Sequence, residues 1–93
     1  TLSTAETTMV SGDVLGQINF QAPVEASGTD AILSGASIHA LATDTFAADN
    51  NETALVFSTA TSGALFERMR VTNAGNVGIS VNDPDSKLEI LSE

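Results

Sequence analysis

The sequence has no cysteine, and only three of its 93 residues, two arginines and one lysine, are basic. Without cysteine it has neither a disulfide framework nor thiol chemistry. Twelve acidic residues give it a net charge of −9. Binding to nucleic acid or to an anionic membrane surface needs a basic face, so this charge argues against both partners.

Bulky side chains are also scarce. There is no tryptophan and no tyrosine, and the aromatic residues are four phenylalanines. Ala, Ser, Thr and Gly together make up 41 of the 93 residues. A very small domain buries only about 60% of its unfolded-chain surface, so a core of small side chains within one chain would be marginal. This composition favours a core built between the chains of an oligomer, where small side chains let backbones approach closely.

No apolar stretch has the length of a signal peptide or of a membrane span. The chain starts at Thr1 and not at a methionine, and we expect it to be a segment of a longer polypeptide. We divide it into a Thr- and Ser-rich leading segment (1–11), a β-domain (12–81), and an exit turn with a short strand that leads to the next element (82–93).

Short alternating runs bounded by turn residues about every 8 to 12 positions predict an all-β chain of antiparallel strands and hairpins. We predict strands at 14–21, 31–41, 54–59, 65–72, 76–81 and 87–91. In the first, Val14, Gly16, Ile18 and Phe20 are predicted to share a face. Polar stretches predict loops at 24–30 and 43–53. An amphipathic helix competes for 31–41 because alanine is a good helix former, but Ser34, Gly35 and Ser37 favour the strand.

Residues 67–79 predict a tight hairpin. Glu67, Met69 and Val71 alternate with Arg68 and Arg70, which is the period of a half-buried strand. The turn at 73–76 contains glycine and asparagine, which tolerate the positive φ of a short hairpin. Met69, Val71, Val77 and Ile79 are predicted to form its buried face. The whole structural hairpin comprises Glu67, Arg68, Met69, Arg70, Val71, Gly75, Asn76, Val77, Gly78 and Ile79.

This hairpin resembles a segment of bacteriophage tail-fibre proteins. Many of them carry Glu-Arg-Met-Arg-(Ile/Val), then Gly-Asn-Val-Gly-Ile-Gly, then a proline and Lys-Leu-x-(Ile/Val). The chain matches this order at 67–71, 75–79, Pro84 and 87–90, and the strands at 12–20 and 54–59 are also similar to the family. It departs at Ser80-Val81, where the family usually has Gly-Thr. The resemblance covers residues 8 to 91 and implies a segment of a homotrimeric fibre. From the few bulky residues, the absence of cysteine and strands that are apolar on both faces, we expect an interwoven homotrimer to which all three chains contribute strands.

The chemistry-bearing residues point to no catalytic constellation. His39 lies two residues from Ser37 on the same predicted face, but no nucleophile elbow accompanies them. We interpret His39 as a packed or surface strand residue. A second interpretation has three His39 side chains meeting on a trimer axis to bind a metal. The acidic residues of 43–53 lack the Asp-x-Asp-x-Asp-Gly spacing of a calcium loop, and we expect no metal and no cofactor.

The remaining charged and glycine positions have structural interpretations. Gly75 to Gly78 lacks the strand–loop–helix context and the lysine of a phosphate-binding loop, so turn glycine is the better account. Arg68 and Arg70 are expected to pair with carboxylates, for example Glu67 of another chain or Asp13.

Two functions follow as expectations. The first is a structural segment of a trimeric tail fibre, in the virion and extracellular, whose partners are its own copies and neighbouring fibre segments. The second is a receptor-binding module of that fibre, which recognises a host-surface glycan or protein through loops 24–30 and 43–53. The candidate binding residues in the second loop are Asp44, Phe46, Asp49, Asn50 and Asn51. An enzyme is not expected.

Overall fold

The chain is all-β, and its strands form one six-stranded sheet in sequence order. The computed structural model describes residues 1–22 and 29–91. Each strand pairs with the next along the chain, and every pair is antiparallel except the last. The strands are β1 (Val14–Phe20), β2 (Ala36–Ala42), β3 (Thr53–Ala60), β4 (Leu65–Val71), β5 (Val77–Ile79) and β6 (Leu88–Ile90).

The predicted strand at 31–41 is wrong in its first half. A short 3₁₀ helix, Asp30–Ile32, occupies its start, and β2 begins at Ala36. The Leu33 N–H donates to the Asp30 carbonyl within the turn, and the Gly35 N–H donates to the Phe20 carbonyl at the end of β1. The competing amphipathic helix is not formed. Residues 24–28 of the first predicted loop lie outside the described residues.

Two register shifts change which side chains face each other. The first lies between Val14 and Gly16, and it places Val14 opposite Leu41 while Gly16 faces Ala40. The predicted common face of β1 is therefore wrong at Val14. The second lies between Phe57 and Ser58 of β3, and it leaves one additional residue, Arg68, on β4. Extra residues of this kind bend a strand and reorient its side chains.

The last strand runs parallel to its neighbour, which the predicted antiparallel pattern did not include. A parallel pair needs a crossover connection, and here residues 80–87 provide it. The crossover passes close over Gly78, where an added Cβ would collide with the Val81 carbonyl oxygen and lie 3.4 Å from Cδ of Pro84. Pro84 is buried in this contact. β5 is only three residues long because the chain turns away at Ser80.

The register sorts the side chains into an apolar face and a polar face. We define the apolar face by three lateral rows of cross-strand neighbours. One runs Ile18, Ile38, Phe57, Met69, Ile79, Ile90; a second runs Gly16, Ala40, Leu55, Val71, Val77, Leu88; and a shorter one runs Phe20, Ala36, Thr59, Phe66. The polar face carries the alternate residues, among them Gln17, Asn19, Ser37, His39, Ser58, Glu67, Arg70 and Glu89.

The few deeply buried side chains are small and lie near the middle of the sheet. Ala42, Ala54 and Val56 are 1% exposed, and Ser37 and Ser58 are also buried. Val56 and Ser58 stand opposite Arg70 and Glu67 of β4, whose long stems can cover small neighbours. A single layer has no second layer to complete a core, so most large apolar residues stay partly in solvent.

Candidate functional site

The apolar face leaves a set of large side chains open to solvent across the sheet. Six of its large side chains remain between 41% and 60% exposed: Ile18, Phe20, Leu55, Phe66, Leu88 and Ile90. They come from β1, β3, β4 and β6, so the exposure extends from one edge of the sheet to the other. Contiguous apolar surface on this scale marks an interaction surface more often than scattered exposed residues do.

The hairpin residues predicted to be buried together do lie together. Met69 faces Ile79, and Val71 faces Val77, all on the apolar face. These four residues therefore share a face as predicted. Within one chain these four side chains are half-buried, because nothing described packs over them. The predicted alternation is wrong at Glu67 and Arg68, because the register shift on β4 places Glu67 on the polar face with Arg70 and the head of Arg68 on the apolar face.

The turn of the hairpin also has the predicted chemistry. Gly75 has a φ of +88°, in the left-handed region that favours glycine. Its N–H donates to the Thr72 carbonyl, and the Thr72 N–H donates to the Asn76 carbonyl, which closes the turn. The Gly75 to Gly78 stretch is thus turn and strand.

Ser80 occupies the position where the fibre motif usually has glycine. It has a φ of +62° and is the one non-glycine residue with positive φ among residues 1–22 and 29–91. Its N–H donates to the Arg68 carbonyl, which keeps it attached to β4 while the chain leaves the sheet. The backbone here therefore has the conformation that glycine adopts at least cost.

Arg70 and Glu67 form a bidentate ion pair on the polar face. Nε of Arg70 donates to Oε2 of Glu67, and Nη2 donates to Oε1, both at 2.8 Å. Both side chains are part-buried, and the hydrogen bonds to Glu67 raise the pKa of Arg70. The sequence suggested Glu67 of another chain or Asp13 as carboxylate partners of the arginines. In the structure Glu67 pairs with Arg70 of its own chain, because the additional residue on β4 brings both side chains to one face.

Arg68 has different surroundings on the apolar face. Its Nε donates to Oγ1 of Thr59 at 2.9 Å, and its guanidinium lies 5.6 Å from the centre of the Phe66 ring. A guanidinium over an aromatic face is attracted by the ring quadrupole. Arg68 makes no ion pair with the described residues, and the expected carboxylate partner is not found there.

His39 and Ser37 share the polar face, as the sequence predicted. Ser37 is buried, and the buried Nδ1 of His39 has no hydrogen-bond partner among the described residues. His39 stands opposite Gln17 on one side and Val56 on the other, neither of which is an acid that could orient it. The arrangement is that of a packed strand residue.

The predicted binding loop at 43–53 holds itself in shape through hydrogen bonds, and its last residue belongs to β3. Nδ2 of Asn50 donates to Oδ2 of Asp44, and Oδ1 of Asn50 accepts from the Glu52 N–H. Paired backbone bonds between Ala47 and Asn50 close the tip. Asp49 is left exposed at this tip.

Phe46 does not project from this loop into solvent. It is half-buried, its N–H donates to the Met9 carbonyl, and it lines a depression together with Leu2 and Leu15. The sequence placed Phe46 as a contact residue, but its packing joins the loop to the leading segment. That contact depends on residues far apart in sequence, so no local pattern could reveal it.

The leading segment is tied to the sheet at two places. Leu2 packs on the apolar face at Gly16, where an added Cβ would lie 2.7 Å from Cβ of Leu2. Oδ2 of Asp13 accepts from the Val10 N–H. The neighbouring Asp13 carboxylate also raises the pKa of Glu6, first through a hydrogen bond and then through like-charge repulsion.

No group of three or more His, Asp or Glu side chains suited to a metal ion occurs in the described part of the chain. Within the same residues, no helix is long and apolar enough to cross a membrane. The sequence matches no protein-family model, and no curated protein matches it significantly.

Proposed function

We propose that this chain is a structural segment of a homotrimeric bacteriophage tail fibre, located in the virion and supporting attachment to the host. The observation that carries the proposal is the apolar face, on which six large side chains remain partly in solvent. A chain with this surface gains stability when copies cover it, since burial of apolar surface drives association.

The hairpin adds support that does not depend on the apolar face. The tail-fibre motif has Gly-Asn-Val-Gly-Ile followed by glycine, and the positions of these glycines have physical reasons here. Gly75 has positive φ, Gly78 lies against the crossover, and Ser80 has positive φ where the motif has glycine. The geometry thus explains why a motif of this form would need small or φ-tolerant residues at these positions.

The test uses a phage whose genome encodes this sequence. Antibodies raised against the purified chain are added to its particles, and bound antibody is located by electron microscopy. We expect labels along slender fibres at the tail. Labelling of the capsid, or particles that carry no label although the antibody recognises the native chain, would refute the assignment.

A second candidate function is receptor recognition by the fibre through loops 24–30 and 43–53. The favouring observation is that the second loop is ordered by internal bonds and presents Asp49 and Asn51 outside the sheet. Loops held by a rigid scaffold are where binding surfaces commonly occur.

This candidate is tested with substitutions at the tip of the second loop. Phe46 is not used, because its side chain packs against the leading segment. Asp49→Ala and Asn51→Ala together should weaken adhesion of the fibre to host cells and leave assembly unchanged. If adhesion is unchanged as well, recognition lies elsewhere. Phe46→Ala is the contrasting variant, and we expect it to loosen the leading segment.

A further inference from the structure

We infer that the apolar face is the surface through which three copies of this chain pack on one another. The inference rests on the proposed trimer, and it deepens that proposal by assigning the interface. The occupant is a second copy of this chain, for reasons of extent and charge.

The apolar face extends across the whole sheet. The chain measures 48 × 39 × 17 Å, so its broad sides are sheet faces and its thickness is little more than one layer. A stable interface takes roughly 800 Å² from each partner. Apolar rows that run from β1 to β6 offer a copy contact along the full width of the sheet.

The distribution of charge favours a copy of the same chain. Molecules with a net charge of −9 repel one another, so they associate best where carboxylates are absent. The two carboxylates within the strands, Glu67 and Glu89, both belong to the polar face. Among the described strand residues, Arg68 is the one ionised group whose head lies on the apolar face. This face is therefore the route of least repulsion between copies.

Small and bulky residues are mixed on both halves of the face. On β1 and β2 the small residues Gly16, Ala36 and Ala40 stand beside Ile18, Phe20 and Ile38, and a depression of about 150 Å³ lies there. Bulky side chains, including Phe57, Phe66 and Met69, stand on β3 and β4.

Packing of one half of this face on the other half of the same face of the next copy is a heterologous contact. Contacts of this kind close into rings when the rotation between copies permits. Two copies related by a two-fold axis would use the same patch on both, so a heterologous ring needs at least three copies. This number agrees with the proposed trimer.

Leu2 shows that the depression accepts an apolar side chain from outside the sheet. It sits on Gly16 and lines the depression, although it remains 58% exposed itself. A neighbouring copy would cover Leu2 as well and would extend the packing that the leading segment begins.

The first arm of the test compares two adjacent positions of β1. Ile18 lies on the apolar face, Gln17 lies on the polar face, and both are exposed in the single chain. Ile18→Glu should raise the dissociation concentration of the trimer at least a hundredfold, whereas Gln17→Glu, with the same added charge, should change it less than threefold. Light scattering gives the mass and circular dichroism shows that each variant keeps its strands.

The second arm avoids any disruptive substitution and uses the absence of native cysteine. Ile18→Cys and Gln17→Cys are each treated with a maleimide under reducing conditions compatible with labelling, at a concentration where the parent is assembled. We expect the thiol of the Ile18→Cys variant to react at least tenfold more slowly than the thiol of the Gln17→Cys variant. In denaturant the two rates should be equal.

The outcomes separate the interface from the trimer. Equal labelling rates under native conditions, or an Ile18→Glu variant that assembles as the parent does, would overturn the assigned face while the trimer stands. A parent chain that stays a single chain at every concentration would overturn the trimer of the proposed function and this inference with it.

Discussion

Ser80 has a φ of +62° in a chain whose other described positive-φ positions are glycines. A side chain with a Cβ pays about 1 to 2 kcal/mol for this conformation. Ser80→Gly should therefore raise the free energy of unfolding, by about 0.5 to 1 kcal/mol after the greater flexibility of glycine in the unfolded chain is counted. Urea unfolding followed by circular dichroism measures it. A loss of stability would mean that the Ser80 hydroxyl contributes more than the strain costs.

Glu6 and Asp13 give the leading segment a dependence on pH. The pKa of Glu6 is raised by the neighbouring Asp13 carboxylate, so the folded chain holds this proton more tightly than the unfolded chain. The contribution to stability is then fully present below the ordinary glutamate pKa of about 4.3, and it is lost as the pH rises through the raised value.

Asp13→Asn should lower the pKa of Glu6 toward its ordinary value, because the partner charge is removed. An NMR titration of the side-chain carboxyl carbon of Glu6 measures this shift. Asp83→Asn, in the distant crossover, is the control and should leave the titration unchanged. A Glu6 titration that Asp13→Asn does not move would show that the two carboxylates do not interact in solution.

At the scale of single elements, the crossover between β5 and β6 depends on Gly78. An added Cβ would meet the backbone carbonyl of Val81, which cannot move aside as a flexible side chain could. Gly78→Ala should cost about 1 to 3 kcal/mol of stability and detach β6. Amide hydrogen exchange at Leu91, whose N–H donates to the Ile79 carbonyl, reports the detachment.

Gly35→Ala is the matched control. Its added Cβ would make an ordinary 3.8 Å contact, and its φ is not positive. It should leave stability unchanged or raise it by up to about 1 kcal/mol, since alanine restricts the unfolded chain. If both substitutions have the same effect, the close approach over Gly78 is not what constrains the crossover.

The hairpin of β4 and β5 depends on the apolar face that Val77 shares with Val71. Val77→Asp places a carboxylate among these side chains and should cost about 2 to 4 kcal/mol. Ala74→Asp adds the same charge at the exposed turn and should be nearly neutral. Thermal unfolding at a fixed chain concentration compares the two. A Val77→Asp variant that melts with the parent would contradict the assigned face.

Local patterns predicted the elements whose structure depends on near neighbours. The hairpin from 69 to 79 is one, because alternation sets the face that Met69 and Val71 share with Val77 and Ile79, and glycine fixes its turn. Alternation fails at Glu67 and Arg68, where the register shift intervenes. β3 and β4 also agree with the predicted strands to within one residue at each end. The predicted strand was wrong at 31–35 because the backbone there forms hydrogen bonds with the carbonyls of Asp30 and Phe20. An alternating pattern of side chains carries no information about such bonds.

Other features depend on contacts between distant residues. The parallel direction of β6 follows from how Pro84 and Val81 pack on Gly78, and the Arg70–Glu67 pair follows from the additional residue that a register shift leaves on β4. Neither is visible as a period in the sequence. Phe46 is a similar case, since its neighbours Met9 and Leu15 lie more than thirty residues earlier.

For the whole molecule, one layer of sheet explains both the scarcity of bulky residues and the exposure of those present. A single sheet with one apolar face is stable only when something covers that face. The sheet gathers most of the large apolar side chains of its strands on one side, in three rows. The fold therefore makes assembly the expected source of much of its stability.

The most direct test of this account is the mass of the chain in solution, measured by light scattering over a range of concentrations together with its melting temperature. We expect a mass three times the 9.5 kDa of one chain, and a melting temperature that rises with concentration. A monodisperse single chain that melts cooperatively at a temperature independent of concentration would contradict it.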